Sequence, residues 1–259
     1  MQYKNVYAVY FSPAGGAKLY ARTAAKIFSE NFKETDITDF DRRVNKLSFD
    51  KDDLVIISAP AYFGRLVNIE NGLLNNLSGN GARAMLLIAY GNRSYEDSLL
   101  ELKKMAEERG FKPFAAAALL ATPVYLPKVS KCRPNENDLA LLSDFAEKSK
   151  AKLEDETAMA KDLSVKGNYP FRPYEKAPYH PEGDEKCNKC RICFQICPMG
   201  AIDAESPKAT DASKCISCMT CVQSCPRHSR GLHSIKAKIM LKMLERTLDN
   251  PSSRPEFFL

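Results

Sequence analysis

Cys187-Asn-Lys-Cys190-Arg-Ile-Cys193-Phe-Gln-Ile-Cys197-Pro198 is followed, after a short spacer, by Cys215-Ile-Ser-Cys218-Met-Thr-Cys221-Val-Gln-Ser-Cys225-Pro226. The two copies are offset by 28 residues and hold eight of the nine cysteines. Thiolates are soft ligands that select iron–sulfur clusters, zinc or Cu(I) over hard cations. Steps of three residues let one loop wrap three corners of a cubane, and the fourth corner needs a thiolate from elsewhere. Structural zinc needs four ligands in two pairs, so a third step and a trailing Cys-Pro, both repeated, have no use there. Disulfides fit poorly, because cysteine is otherwise nearly absent and no signal peptide is expected. The pattern therefore points to two [4Fe–4S] clusters. Ile192, Phe194, Ile196, Ile202, Ile216, Met219 and Val222 are apolar fillers around them.

The run is similar to that of bacterial two-cluster ferredoxins, where the fourth cysteine of each run serves the other cluster. The resemblance implies Cys187, Cys190, Cys193 and Cys225 at one cluster, and Cys215, Cys218, Cys221 and Cys197 at the other.

Working outward, 259 residues suffice for two domains, and 44% hydrophobic with 27% charged residues is ordinary for a globular chain. No apolar run is long enough to span a membrane, and free thiols with clusters suit a reducing cytoplasm. The net charge of +6 is uneven: from Pro226 to Leu248 there are six Lys or Arg against Glu245 alone. So local a patch, with few aromatics, argues against nucleic acid.

Upstream, Asn5 to Phe11 is a β-branched and aromatic run that predicts a first strand. It ends in Ser12-Pro-Ala14-Gly15-Gly16-Ala17-Lys18, and apolar residues then recur at helical spacing to Phe32. A strand, a Gly-containing turn and a helix aim backbone N–H groups at an anion. Further strands are expected at Lys33–Thr38, Asp53–Ala59, Ala82–Tyr90 and Phe114–Thr122. Helices are expected at Glu70–Leu77, Ser98–Arg109 and Asn135 to about Glu154. Alternation of this kind makes a parallel α/β sheet, whose ligands sit beyond the carboxyl ends of the strands. The loops 12–17, 60–66 and 91–95 fall there.

Tyr10-Phe-Ser-x-x-Gly15, then Pro60-x-Tyr-Phe-Gly-Arg65, then Tyr90-Gly-Asn-Arg-x-Tyr-Glu-Asp97 resembles a flavodoxin-like domain. With the cysteine runs, the chain over about residues 3–230 resembles the flavodoxin–ferredoxin fusion proteins of anaerobic bacteria and archaea. The resemblance implies a five-stranded parallel sheet with helices on both faces, plus a small α+β dicluster ferredoxin domain. It implies FMN, with its phosphate on Ser12, Ala14, Gly15, Gly16, Ala17 and Lys18. The ring would lie between Pro60, Tyr62, Phe63 and Gly64 on one side and Gly91, Asn92 and Tyr95 on the other. Arg65 is read as solvated. The family's phosphate loop carries hydroxyls where this chain has Ala14 and Ala17, at a cost of about 0.5–1.5 kcal/mol per lost bond.

The expected division is 1–157 for the sheet domain, 158–183 for a proline- and aromatic-rich connector, 184–230 for the ferredoxin domain and 231–259 for a basic helix and tail. Leu232–Leu248 would carry an apolar face of Ile235, Ile239, Met240, Met243, Leu244 and Leu248, docked on its own protein or facing an acidic redox partner or an anionic membrane surface. The expected role is electron transfer through two clusters coupled to FMN, with a redox protein as partner. The alternative is a clusters-only carrier whose flavodoxin-like domain has lost FMN and serves for docking.

Overall fold

The computed structural model describes residues 3–69, 72–128, 132–248 and 253–259. In chain order the elements are β1 (Asn5–Tyr10), α1 (Gly16–Phe28), β2 (Lys33–Asp36), α2 (Phe40–Arg43), β3 (Leu47–Ser48) and β4 (Asp53–Pro60). Next come β5 (Leu77–Ser78), β6 (Arg83–Tyr90), α3 (Ser98–Glu108), β7 (Lys112–Leu120), α4 (Glu136–Lys152) and α5 (Glu156–Met159). The C-terminal part holds β8 (Glu182–Gly183), α6 (Ile192–Gln195), α7 (Thr220–Gln223), β9 (Arg230–Gly231), α8 (Ile235–Leu248) and β10 (Glu256–Phe258).

The main sheet has the order β10-β7-β6-β4-β1-β2, and all its pairs are parallel except β10 on β7. Without β10, the strands in sequence order run 2-1-3-4-5. The central strands β4 and β6 are almost wholly buried, as expected of strands covered on both faces. Strand alternation deals their side chains to two cores. Leu54, Ile56, Met85 and Leu87 meet α1 and α4 on one face, while Val55, Ile57, Leu86 and Ile88 meet α3 on the other. Each such side chain contributes roughly 1.5–3 kcal/mol on burial. Helix α4 starts at a capping box: Asp138 N–H donates to the Asn135 side chain at 3.0 Å, and Asn135 N–H donates back to the Asp138 carboxylate at 2.9 Å.

Three expectations need correction. No helix forms over 72–77, and Glu70 and Asn71 lie outside the described residues. Gly72 sits at φ +90°, and turn bonds from Asn75 to Gly72 and from Leu77 to Leu74 bury Leu73, Leu74 and Leu77 instead. The expected five-stranded parallel sheet gains a sixth, antiparallel strand: β10 extends it, with Phe257 stacked on Phe145 at 4.8 Å between ring centres. Finally, α8 does not bury its whole apolar side. Ile235, Ile239 and Met243 are exposed, while Met240 and Leu244 face a cavity. The Leu248 side chain lies outside the described set. Among the described residues no helix is long and apolar enough to cross a membrane.

Candidate functional site

The cysteine runs fold as two copies of one unit. Between the first three cysteines of each, alternate residues turn into the left-handed region: Lys189 at φ 56° and Arg191 at 64°, then Ser217 at 54° and Met219 at 60°. Successive positive-φ turns tip backbone N–H groups inward and make a concavity for negative charge. Helices α6 and α7 follow at the same offset, and β8 pairs antiparallel with β9 to close the unit.

Each run lines a small cavity with three of its cysteines, and the fourth comes from the other run. Cys187, Cys190, Cys193 and Cys225 border one. Cys197, Cys215, Cys218 and Cys221 border the other. Among the described residues no three His, Cys, Asp or Glu side chains converge on a point that one metal ion would fill. Backbone N–H groups of Ala201, Ser217 and Ser229 donate to the sulfurs of Cys197, Cys215 and Cys225, each at 3.3 Å.

The thiols differ in environment. Burial pushes Cys218 up to about 12, opposed by Thr220. Burial also raises Cys193 and Cys221, and the Arg230 guanidinium pulls both back. At Cys225 the raising effect of burial is outweighed by N–H donors of Arg230, Ser229 and Arg227, so that thiol ionises more easily than usual. Arg230 is itself buried, and its Nε has no hydrogen-bond partner. Paired cysteine sets, inward N–H groups and an orphaned buried cation donor fit two clusters.

A third cavity, of about 490 Å³, lies beyond the carboxyl ends of β1, β4, β6 and β7. Ser12, Ala14, Gly15, Gly16, Ala17, Pro60, Tyr62, Phe63, Gly64 and Gly91 line it. Gly15 turns into α1 at φ +87°, and a Cβ there would meet nothing within 4 Å, so the loop presents open backbone to the cavity. Gly64, at φ +77°, is required: a Cβ would fall 2.4 Å from the Glu96 carboxylate.

Three expected residues stand elsewhere. Tyr95 is buried against Tyr90 and donates to the Glu256 carboxylate at 2.9 Å, so β10 takes the ring expected on the flavin. Asn92 is buried at φ +59° beside the cavity wall rather than in it. Lys18 places its ammonium over the Tyr10 ring, and its backbone N–H donates to Ser12 Oγ at 2.8 Å. Ser12 thus spends an acceptor on the helix start. Arg65 is not solvated: it pairs with Glu101 through both carboxylate oxygens and stacks on Phe171.

The fit to FMN is therefore uneven. The aromatic walls and the volume suit a flat ring. At the phosphate end only backbone N–H groups of the first turn of α1 remain outside the helix ladder.

Other lining residues were not foreseen: Thr122, Pro123 and Tyr125 from the loop after β7, Gln223 from α7, and Met240 and Leu244. The loop after β7 was open to inference from the same strand-end rule. Tyr62 borders this cavity and a cleft of about 500 Å³ that also touches Cys215. Its phenol is raised well above the ordinary value, first by burial and then by nearby Cys218. Arg43 crosses the same junction, donating to the Pro198 carbonyl at 2.9 Å.

Residues 186–229 match the model of the 4Fe-4S dicluster domain family. A search of curated proteins gives no significant match. Among solved structures, a flavodoxin from the domain Archaea is 17% identical, covering 56% of this chain and 99% of that one, with a TM-score of 0.37. The flavodoxin of Streptococcus pneumonia TIGR4 is 16% identical, covering 57% of this chain and 98% of its own, with a TM-score of 0.39. Rubredoxin oxygen:oxidoreductase from the anaerobe Desulfovibrio gigas is 20% identical, covering 57% of this chain but 37% of its own, also at 0.39. At these scores the fold assignment rests on the strand order itself, which is the flavodoxin-like 2-1-3-4-5. The chain joins a flavodoxin-like α/β sheet to a 4Fe–4S dicluster domain, the make-up of a flavodoxin–ferredoxin fusion.

Proposed function

We propose that this protein is a cytoplasmic electron carrier that couples FMN to two [4Fe–4S] clusters and serves a redox protein partner. When bound, FMN supplies two-electron capacity and each cluster one-electron steps. The chain would divide at 1–157, 158–183, 184–230 and 231–259 into sheet domain, connector, ferredoxin domain and basic tail. Cys187, Cys190, Cys193 and Cys225 would hold one cluster, and Cys215, Cys218, Cys221 and Cys197 the other. Tyr62, Phe63 and Tyr125 would wall the flavin ring, with backbone N–H groups of Gly16 and Ala17 toward its phosphate.

The observation that carries this reading is the position of Tyr62, which lines the sheet-end cavity and also the cleft that touches Cys215. Tyr62 is itself buried. Outward on α8, exposed Ile235, Ile239 and Met243 alternate with Lys236, Lys238 and Lys242, a surface suited to an acidic partner. The test is to add less than one equivalent of reductant to the anaerobic, fully loaded protein. Flavin and cluster absorbance should settle to one shared equilibrium within the mixing time. Independent, non-exchanging bands would refute the coupling.

A second reading has its own support. Ser12 Oγ is engaged by Lys18, and Ala14 and Ala17 lack hydroxyls, so the sheet-end cavity would be a relic and the domain a docking module. Absence of flavin uptake by the cluster-loaded protein would select it.

A further inference from the structure

Arg230 links the two cysteine cavities. It stands on β9, with 3% of its surface exposed. Nη1 donates to the Pro207 carbonyl at 2.5 Å, and Nη2 to the Pro181 carbonyl at 2.6 Å and to Thr210 Oγ1. Nη1 also lies 3.4 Å from the Lys208 carbonyl. All four acceptors are neutral oxygens, and Nε is buried without a partner. A guanidinium stays protonated in proteins, and a buried charge without a counter-charge is strongly unfavourable. Among the described residues none of its hydrogen-bond partners is a carboxylate.

The missing negative charge lies in the cysteine sets. Arg230 lines the cavity of Cys187, Cys190, Cys193 and Cys225. Its Nη2 partners Pro181 and Thr210 line the cavity of the other set, beside Cys197, Cys215, Cys218 and Cys221. The Pro207 carbonyl that it holds is also the acceptor for Cys193 Sγ, at 3.8 Å.

We propose that Arg230 is the internal counter-cation of both clusters, positioned by neutral carbonyls so that its charge favours their reduced states. This rests on the two-cluster reading above. Adding an electron makes a thiolate-ligated cluster more negative, and a fixed cation nearby in low dielectric offsets that charge. The four neutral acceptors fix the fork in place without cancelling its charge. Arg230 is thus a positioning residue that sets potential, while the thiolates hold the iron.

The experiment is a redox titration of the anaerobic holoprotein, followed by electron paramagnetic resonance, with iron and sulfide measured on the same samples. Arg230→Gln and Arg230→Lys are compared with the native chain. The Gln variant, loaded with both clusters, should show both midpoints moved to lower potential by at least a tenfold change in the one-electron equilibrium, about 59 mV. The Lys variant keeps the charge and should stay near the native midpoints. A fully loaded Gln variant with native midpoints overturns the proposal. Where Gln sheds its clusters, Lys decides: loaded at native midpoints supports the proposal, and loaded at clearly lowered midpoints overturns it. Failure of the underlying reading would show separately, as a native chain without two clusters' worth of iron and sulfide.

Discussion

Thr220 Oγ1 donates to the Pro13 carbonyl at 2.8 Å and lies 3.3 Å from the Cys218 sulfur, so a cluster-ligand thiol and the first sheet-end loop share one hydroxyl. Removing it should loosen the junction without touching either cavity's shape. Thr220→Val keeps the volume and should cost about 0.5–1.5 kcal/mol. Denaturant unfolding followed by cluster absorbance would read this as a lower midpoint. An unchanged midpoint would mean that the two parts are held by other contacts.

The crossed cysteine sets predict phenotypes that pair across the runs. Cys197→Ser should resemble Cys215→Ser, because both border one cavity. Cys225→Ser should resemble Cys187→Ser, because both border the other. Paramagnetic resonance of the reduced variants would group them. Grouping by run, with Cys197 beside Cys187, would show that the ligands do not cross.

Ala14 is exposed on the open loop before α1. Ala14→Thr supplies a hydroxyl of the kind this loop lacks. One added neutral hydrogen bond is worth about 0.5–1.5 kcal/mol, so FMN should bind about two- to twelvefold more tightly. Flavin fluorescence quenching measures this. Equal affinity would place the phosphate away from this loop.

Asp97 fastens the connector to the sheet domain. Its carboxylate accepts from the N–H of Asn168 and of Arg172, each at 2.8 Å. Burial favours its neutral form, but the donors from Arg172 and Asn168 outweigh that and hold the carboxyl below its ordinary value. A depressed folded value means that the tie is present above the unfolded carboxylate pKa of about 3.9 and is lost as pH falls through the folded one. Amides of Asn168 and Arg172 should therefore be protected from hydrogen exchange at neutral pH and lose protection below the carboxylate range. Asp97→Ala should expose them at every pH. Protection that persists in that variant would assign the connector's order to packing alone.

Much of this was legible in the chain because local chemistry left little choice. Spacings of three residues with a trailing Cys-Pro fix a pair of loops wherever they stand, and β4 and β6 announce themselves as unbroken apolar runs. Legibility failed where two structures satisfy one pattern. Leu73, Leu74 and Leu77 have helical spacing, yet a turn opened by Gly72 buries all three. Phe257 and Phe258 are too short a run to signal a strand, and they become one only because β7 offers an open edge. That edge partner then claims Tyr95 through Glu256, which no local reading of the 91–95 loop would reveal. Arg230 was hidden for the same reason: its charge matters through cysteines brought together from both runs.

The most direct measurement is the cofactor content of the anaerobically purified and reconstituted protein, with iron, sulfide and extracted flavin determined together with the visible spectrum. The account predicts two [4Fe–4S] clusters and one FMN per chain. Two clusters without flavin, even with FMN supplied in excess, would contradict the coupling and leave the sheet domain as a scaffold for the clusters.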